Sequence, residues 1–341
     1  LKGSGFLVSD LHAAGYSALE LRTGLSLPAQ SLRLGGYNAK ELKAAGFVCE
    51  ELRAAGYSAS ELRMGGFQLE DMRSAGFAAP ELKSAGFSAI DLRGVGFSLT
   101  EMKTSFGVLG LKAANFTAEQ MRLAGFNASD LYVPPSSEKA FSPLFPDPSP
   151  VVAYYSVAEL KVGGYTAEEL VPLVPLAEMR TGGFQVSDLK SIATAATLRS
   201  AGYSAGEMKS AGYDCQELKS SGFSPASLKA AGFTSSELNE SAGCSCGELR
   251  GAGFTAAELR QQLGFAPDLL RSGGYSAADV KAAGFEVHEL KGSGFLVSDL
   301  HAAGYSAQEL RTGLSLPAQS LRLGGYNAKD LKAAGFVCEE L

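Results

Sequence analysis

Side chains that could carry out catalysis are few and scattered in this 341-residue sequence. Of its three histidines, His12 and His301 stand in identical sequence surroundings, which leaves His288 as the only other position. The sequence shows no Ser/His/Asp set, no phosphate-binding glycine loop and no His/Cys cluster with metal-ligand spacing. Acidic residues recur every ten positions, a pattern that suits helix capping. We therefore expect no enzyme, no catalytic residue, no metal site and no cofactor.

The acidic residues recur because the chain repeats a ten-residue unit, roughly Ser-Ala-x-Glu-Leu-Lys/Arg-x-Ala-Gly-Phe/Tyr. A fixed period of this kind indicates a repeat architecture. A longer period lies on top of it, because residues 1–52 recur at 290–341. The two copies differ only where Leu19 becomes Gln308 and Glu41 becomes Asp330. We expect this 289-residue super-repeat to belong to a longer tandem chain.

Each unit carries the signals for a short helix that is closed at both ends. Ser or Thr followed three residues later by Glu forms a capping box at the start. Gly56 takes the position after the helix, where a left-handed backbone is needed. Tyr57 follows it and should contact both Leu52, in the helix before, and Leu62, in the helix after, as Phe47 does one unit earlier. These residues form the predicted structural staple.

The sequence therefore predicts an all-α solenoid of very short helices, about two turns each and one per ten-residue repeat, with a Pro-rich irregular arm. Such helices are unstable alone and must stack on their neighbours. A pentapeptide-repeat β-helix is the competing interpretation, because Leu and aromatic residues alternate every five positions. That fold needs a small residue two positions before each Leu, which Glu50 before Leu52 is not. Pro225 and Pro267 also stand where a helix accepts proline.

The pattern resembles the Ala-Gly-Phe/Tyr decapeptide arrays found in very long predicted proteins of algae and other protists. The resemblance covers most of the chain and implies an architecture only, since those arrays carry no characterised activity. The spacing departs from it at 21–36, 98–115, 127–164 and 166–202. The predicted organisation is a solenoid block at 1–132, a Pro-rich extended arm at 133–155, a second block at 156–289 and the start of the next super-repeat at 290–341.

Four distinct cysteine positions remain once Cys49 and Cys338, which belong to the two copies, are merged. Cys49, Cys215 and Cys246 stand where most units carry Ala, and Cys244 stands where most carry an aromatic residue. Their use as small buried hydrophobes explains them. A disulfide in an extracellular fibre is the alternative, and its pairing does not follow from the sequence.

Three asparagines lie in Asn-x-Ser/Thr sequons. Asn115 replaces the glycine that follows a helix, and Asn127 replaces an N-cap serine, where its side chain would be occupied. Asn239 replaces a basic residue that we expect to face solvent. Asn239 is therefore the best candidate for N-glycosylation, ahead of Asn115 and Asn127.

A basic residue also recurs every ten positions, as in Lys43, Arg53 and Arg63. Each follows an acidic residue by two positions, and 30 basic against 36 acidic residues give a net charge of −6. This balance predicts a solvated, charge-mixed face and no nucleic-acid partner. No stretch approaches the roughly 20 apolar residues that span a bilayer, so we expect no membrane-spanning segment.

The largest break in the pattern, residues 133–150, holds six of the 13 prolines and should be extended. It can serve as a loop between two solenoid blocks, as an O-glycosylated Ser/Pro segment, or as an arm that packs on a neighbouring turn. The apolar residues of the segment favour the packing arm. The residues singled out for O-glycosylation or packing are Ser142, Pro143, Ser149 and Pro150.

Two functions fit these features. The first is the body of a long extracellular or cell-surface filament that associates with copies of itself, in a continuous chain or head to tail, and carries glycans. The second is an intracellular α-solenoid scaffold whose concave face binds protein or peptide partners. The scaffold predicts a groove lined by variable positions such as Ala54, Met64 and Ser74.

Overall fold

The structure is a computed structural model that describes residues 5–134 and 154–340. In these residues all regular secondary structure is helical, which confirms the predicted solenoid of short helices. The chain forms two compact units, residues 1–183 and 184–341. The β-helix interpretation is wrong, because each repeat closes its hydrogen bonds within its own helix.

The first unit contains α1 (Val8–Ala13), α2 (Ala18–Leu25), α3 (Ala29–Leu34), α4 (Ala39–Ala44), α5 (Cys49–Ala54), α6 (Ala59–Met64), α7 (Leu69–Ser74), α8 (Ala79–Ser84), α9 (Ala89–Gly94), α10 (Leu99–Met102), α11 (Val108–Ala113), α12 (Ala118–Leu123), α13 (Ala128–Leu131), α14 (Val157–Val162), α15 (Ala167–Leu170) and α16 (Leu176–Thr181). The second unit contains α17 (Val186–Leu189), α18 (Ala195–Ser200), α19 (Ala205–Ser210), α20 (Cys215–Ser220), α21 (Pro225–Ala230), α22 (Cys246–Gly251), α23 (Ala256–Leu263), α24 (Pro267–Ser272), α25 (Ala277–Ala282), α26 (Val297–Ala302), α27 (Ala307–Leu314), α28 (Ala318–Leu323) and α29 (Ala328–Ala333). It also contains a π-helical turn (Glu237–Ser241) and 3-10 turns at Val287–Leu290 and Cys338–Glu340.

Capping boxes start the regular helices, and Ser58 shows the geometry. Its backbone N–H donates to Glu61 Oε2 at 2.7 Å, and the N–H of Glu61 donates to Ser58 Oγ at 3.3 Å. These bonds satisfy two of the backbone donors that every helix leaves open at its start. The N–H of Ser58 is also the main reason why the pKa of the Glu61 carboxyl lies below its ordinary value.

Schellman motifs end the regular helices, as the sequence predicts. The N–H of Tyr57 donates to the Leu52 carbonyl at 3.0 Å, and the N–H of Gly56 donates to the Arg53 carbonyl at 2.9 Å. Gly56 has a φ of 90°, a conformation that residues with a Cβ rarely adopt. Asn115 takes the same place with a φ of 62°, which confirms its predicted role at the end of a helix.

Within each unit, helices pack on the helix two places further along the chain. In the first unit α3 packs on α5 and α5 on α7, while α4 packs on α6 and α6 on α8. In the second unit α18 packs on α20, α19 on α21 and α27 on α29. Two successive helices, about twenty residues, therefore make one layer. Leu52 and Leu62 are 0% exposed in the interior between the two stacks.

Units of irregular length keep the same stacking of two helices per layer, because the change in length falls in the turn after the helix. In α10 the aromatic Phe106 follows Met102 by four positions instead of five, and its N–H donates to the Met102 carbonyl at 3.0 Å. The extra residue between Phe233 and Cys244 is absorbed in the π-helical turn. The slips in sequence spacing are therefore local, and α8 still packs on α10 and α20 on the π-helical turn.

Candidate functional site

The contacts between layers are the most regular feature of the surface, and Arg53 of α5 shows their geometry. Its Nη1 donates to the Ala75 carbonyl at 2.6 Å, and its guanidinium carbon lies 4.8 Å from the centre of the Phe77 ring. Its Nη2 lies 3.8 Å from Glu81 Oε2. Ala75 caps the end of α7 and Glu81 stands in the first turn of α8, so one side chain contacts both helices of the next layer.

The same cation–aromatic pair recurs along both units, with the cation 3.9 to 5.9 Å from the ring centre. Examples are Arg22–Phe47, Arg33–Tyr57, Lys43–Phe67, Arg63–Phe87, Arg73–Phe97, Arg93–Phe116, Lys103–Phe126, Lys209–Phe233, Lys229–Phe254 and Arg311–Phe336. These side chains are exposed or half-exposed and stand beside acidic residues, as a charge-mixed face requires, but each also contacts a ring of the next layer. The aliphatic stems lie on apolar surface while the charged heads bind carbonyls at helix ends, where a cation also suits the helix dipole.

Tyrosine hydroxyl groups add a second contact between layers. Tyr57 Oη donates to the Tyr37 carbonyl, and Tyr37 Oη donates to the Tyr16 carbonyl. In the second unit Tyr203 Oη donates to the Phe184 carbonyl at 2.7 Å. Burial raises the pKa of Tyr57 to about 12. A tyrosine in the aromatic position therefore binds the backbone of the preceding layer, which phenylalanine cannot do.

Both copies of the first histidine position take the place of the basic residue. The His12 ring lies 3.9 Å from the Tyr37 ring, and its Nε2 lies 3.3 Å from Glu41 Oε1. The His301 ring lies 4.1 Å from the Tyr326 ring in the same arrangement. The structure thus gives these histidines the packing role of an interlayer cation.

The Pro-rich segment is inserted into a single turn, and the layers continue across it. The backbone N–H of Tyr155 donates to the Leu131 carbonyl at 3.0 Å, the bond that Tyr57 makes to Leu52. The Lys112 ammonium lies 4.7 Å from the centre of the Tyr155 ring, and Tyr155 Oη donates to the Phe116 carbonyl at 2.5 Å. Tyr155 therefore serves as the aromatic residue of the unit that begins with α13, and α14 packs on α12.

Tyr132, on the N-terminal side of the insertion, is also buried and hydrogen-bonded, as Tyr155 is on the C-terminal side. Tyr132 is 4% exposed, and its hydroxyl donates to Glu178 Oε2 at 2.8 Å. Burial, together with Glu178, raises the pKa of Tyr132 to about 12. Ser142, Pro143, Ser149 and Pro150, predicted for O-glycosylation or packing, lie outside the described residues.

Shallow grooves lie between successive layers beside the aromatic residues. One, of about 530 Å³, is lined by Tyr37, Lys40, Tyr57, Met64 and Gly65. Met64, one of the positions predicted for a scaffold groove, is 77% exposed there. The described residues contain no group of three His, Cys, Asp or Glu side chains that could hold a metal ion.

A similar groove lies beside the insertion in the first unit, with a volume of about 520 Å³. It is lined by Asn115, Phe116, Tyr155, Glu159 and Val162, among others. Since this groove and the one at Tyr37 have equivalent positions between layers, both follow from the repeat itself.

Four of the predicted staple residues, Phe47, Leu52, Tyr57 and Leu62, are buried, and Gly56 forms the exposed turn; the contact of the Tyr57 ring with Leu62 stays a prediction. Phe47 and Tyr57 are 5% and 3% exposed, and Leu52, Leu62 and the glycine turn at Gly56 complete each unit. Sequence analysis missed the interlayer partner of each cation. The signal was present, because a basic residue recurs with the same period as the aromatic one.

The three sequons lie in different surroundings. Asn115 and Asn127 are exposed, and Asn127 makes no side-chain hydrogen bond to the helix start, contrary to expectation. The N–H of Asp130, which an N-cap side chain would accept, donates instead to the main-chain carbonyl of Asn127 at 3.0 Å. Asn239 is only partly exposed, and its Nδ2, the atom that carries a glycan, donates to the Cys244 carbonyl at 2.9 Å. Glycosylation of Asn239, Asn115 and Asn127 stays a prediction.

The cysteines of the helix starts are buried as small hydrophobes in three of four cases. Cys49, Cys215 and Cys246 are 4%, 3% and 7% exposed, and Cys244 is 1% exposed. Cys338, the second copy of Cys49, is exposed. All five are free thiols in the structure.

Comparison with known proteins agrees with this architecture. The sequence model of one family, the decapeptide repeat region, matches residues 5–79, 36–107, 76–133, 193–265, 243–314 and 264–338. No curated protein and no solved structure matches the chain. Because the matches together cover well over half of the sequence, the chain belongs to the decapeptide repeat family.

Proposed function

We propose that this chain is a structural repeat protein that forms the body of a long extracellular or cell-surface filament and has no catalytic role. Its partners are copies of itself, joined in one tandem chain or head to tail, with glycans attached. The observation that carries the proposal is the junction between the two super-repeats, which lies inside the second unit.

The junction is built from the same contacts as every other layer. The Lys281 ammonium of α25 lies 4.6 Å from the centre of the Tyr305 ring, across the boundary at residue 290. Tyr305 Oη donates back to the Phe285 carbonyl at 3.3 Å, and Arg271 lies 5.9 Å from the centre of the Phe295 ring. One super-repeat therefore passes into the next without a cap, so the stacking has no built-in limit.

The same junction buries an aromatic residue near the start of the second copy. Tyr305 is 3% exposed beneath Lys281. Burial of apolar surface of this kind favours the stacking of one super-repeat on the next.

Across residues 5–134 and 154–340, no helix combines the length and the apolar character that crossing a bilayer requires.

An intracellular scaffold is the second candidate, and the groove beside Met64 favours it. Electron microscopy of the natural protein separates the two. Long uniform fibres support the filament. Short separate particles that capture a specific protein or peptide would contradict it and support the scaffold.

A further inference from the structure

We infer that Cys215 and Cys244 form a disulfide that joins two stacked helical units when the protein meets an oxidising environment. The inference rests on the proposed function only for that environment. The placement of the two sulfurs follows from the fold of the second unit.

The two cysteines lie in units that stack directly on one another. Helix α20 begins at Cys215 and packs on the π-helical turn Glu237–Ser241, and Cys244 ends the turn that follows. The N–H of Cys244 donates to the Leu238 carbonyl at 2.8 Å, which fixes Cys244 against the end of that turn. Both side chains are almost fully buried, at 3% and 1% exposure.

The direction of the Cys215 side chain follows from an equivalent position in the same unit. Cys246 is the first residue of α22, and a Cβ on Gly273, at the end of α24, would lie 2.4 Å from Cys246 Sγ. The first side chain of a helix therefore points at the end of the helix stacked on it. In the π-helical unit the position equivalent to Gly273 is Ala242. Cys215 therefore points at Ala242, two residues before Cys244, whereas Cys246 points away towards α24.

Electrostatics support this proximity. Burial raises the pKa of Cys215 to about 11, and among the neighbouring ionisable groups Cys244 contributes most to the increase. The interaction between two such groups falls off with distance, which agrees with the placement of both side chains in units that stack on one another.

The residue types at this point differ from those of the regular units. Cys244 occupies the position of the aromatic ring, and Lys219 occupies the position of the cation that would lie over it. A thiol pair can thus replace the cation–aromatic pair as the link between layers. A bond between the Cys215 and Cys244 sulfurs would then link two stacked layers, as the cation–aromatic pair does elsewhere.

The chemistry balances with glutathione disulfide as the oxidant. The thiolate of one cysteine attacks a glutathione sulfur, and one glutathione leaves as its thiol. The thiolate of the second cysteine then attacks the mixed disulfide, and the Cys215–Cys244 S–S bond forms as the second glutathione leaves. Two cysteine thiols are oxidised, and one glutathione disulfide is reduced to two glutathione thiols. Since both sulfurs are buried, the exchange is best allowed to proceed during folding.

Peptide mapping tests the pairing. The chain is refolded in a glutathione redox buffer, free thiols are blocked with N-ethylmaleimide, and trypsin fragments are analysed by mass spectrometry. We expect peptide 210–219, which contains Cys215, to be linked to peptide 230–250, with fragment ions that place the bond at Cys244. Two blocked thiols at these positions, or a bond through Cys246, would overturn the inference.

Peptide 230–250 offers a matched control because it contains both Cys244 and Cys246. Cys244→Ala should abolish the link, and Cys246→Ala should leave it intact. If either variant fails to fold, the peptide map of the unaltered chain tests the pairing on its own. The result is also independent of the filament proposal. If the disulfide forms in a chain that forms no fibres, the inference holds and only the proposed function is contradicted.

Discussion

The guanidinium of Arg53 lies over the Phe77 ring and donates to the carbonyl of Ala75, although more than twenty residues separate it from both. A residue at the end of α5 thus closes the end of α7. The pairing gives each basic residue of the repeat a structural purpose. It also explains how helices of six residues, too short to be stable alone, form a regular stack.

Removing one interlayer cation should weaken the stack measurably. Arg53→Ala removes the contact with the Phe77 ring and the hydrogen bond to Ala75, which together should cost about 1–2 kcal/mol. The free energy of unfolding in urea measures the loss. Lys40→Ala is the control, since Lys40 is exposed and its side chain makes no interlayer bond of this kind; it should change stability by less than about 0.5 kcal/mol. Equal effects of the two variants would contradict the role of the row.

Gly182 is required for space rather than for backbone freedom. Its φ is −73°, but a Cβ there would lie 2.5 Å from Val157 Cγ1 and 2.7 Å from Val157 Cβ. Gly182→Ala should therefore destabilise the first unit by about 1–3 kcal/mol through overpacking. In the Val157→Ala background the same change should cost much less. A double-mutant cycle measures the coupling, and strict additivity would show that the two residues do not compete for space.

The buried hydroxyl of Ser105 has no hydrogen-bond partner in the described structure. The equivalent position holds Ala in most units, for example Ala85. Ser105→Ala should therefore leave stability unchanged or raise it by about 1 kcal/mol, since it removes an unpaired buried polar group. Chemical denaturation measures the change.

Ser235 provides the matched contrast to Ser105. It is also buried, but its Oγ donates to Gln262 Oε1 at 2.6 Å. Ser235→Ala should cost about 0.5–1.5 kcal/mol because it removes this hydrogen bond. A loss of stability in Ser105→Ala as large as that in Ser235→Ala would mean that the hydroxyl of Ser105 is bound after all.

Capping carboxylates should make the protein sensitive to acid. The pKa values of Glu61, Glu248 and Glu309 lie below the ordinary value of 4.5, first because each accepts a backbone N–H at the start of its helix. A carboxyl with a lowered pKa in the folded state stabilises the fold fully above the unfolded value. That contribution is lost as the pH falls below about 4.5 and through the folded pKa.

Replacing these three residues by Gln should reduce the acid sensitivity. Gln120 already takes the capping place in α12, where it accepts the N–H of Thr117 at 3.0 Å. The triple variant should lose less unfolding free energy than the natural sequence between pH 7 and pH 3. Unfolding curves at the two pH values give the comparison, and identical losses would contradict the capping account.

The insertion between Leu131 and Tyr155 should be replaceable by an ordinary turn. Substituting Arg-Ala-Ala-Gly for residues 132–154 restores the spacing between Leu52 and Tyr57. We expect α14 to stay packed on α12 and the Tyr155 amide to stay protected from hydrogen exchange. Arg-Ala-Ala-Ala is the control, since a Cβ at the left-handed position should cost about 1–2 kcal/mol. Loss of protection with Arg-Ala-Ala-Gly would show that the two blocks are not consecutive layers.

Most of each unit could be predicted from its own ten residues. The capping box at Ser58 and the left-handed turn at Gly56 depend on side chains a few positions apart, so the sequence pattern is sufficient. The partner of Arg53 depends instead on which helices stack, which the period alone does not state. Both Lys and Arg suit solvent as well as an aromatic ring, so the charge-mixed face could be predicted and the ring partner of each cation could not.

The role of Tyr155 was hidden for a different reason. Tyr132 follows Leu131 directly and Tyr155 is 24 positions away, so spacing alone does not identify the residue that completes the unit. Only the hydrogen bond from the Tyr155 amide to Leu131 shows that the segment between them is inserted within a turn. For the grooves between layers, the sequence indicated a variable position such as Met64 but not the full lining, because each groove is lined by residues of two successive layers.

The spacing of layers in the natural protein tests the central claim most directly. Cryo-electron microscopy of the isolated protein gives it from power spectra. With about 29 units per super-repeat, two helices per layer and about 10 Å per layer, an untwisted filament should repeat every ~140 Å and show a layer line near ~10 Å. Fibres with both spacings are the expected result. Discrete particles without either spacing would contradict a continuous stack of two-helix layers.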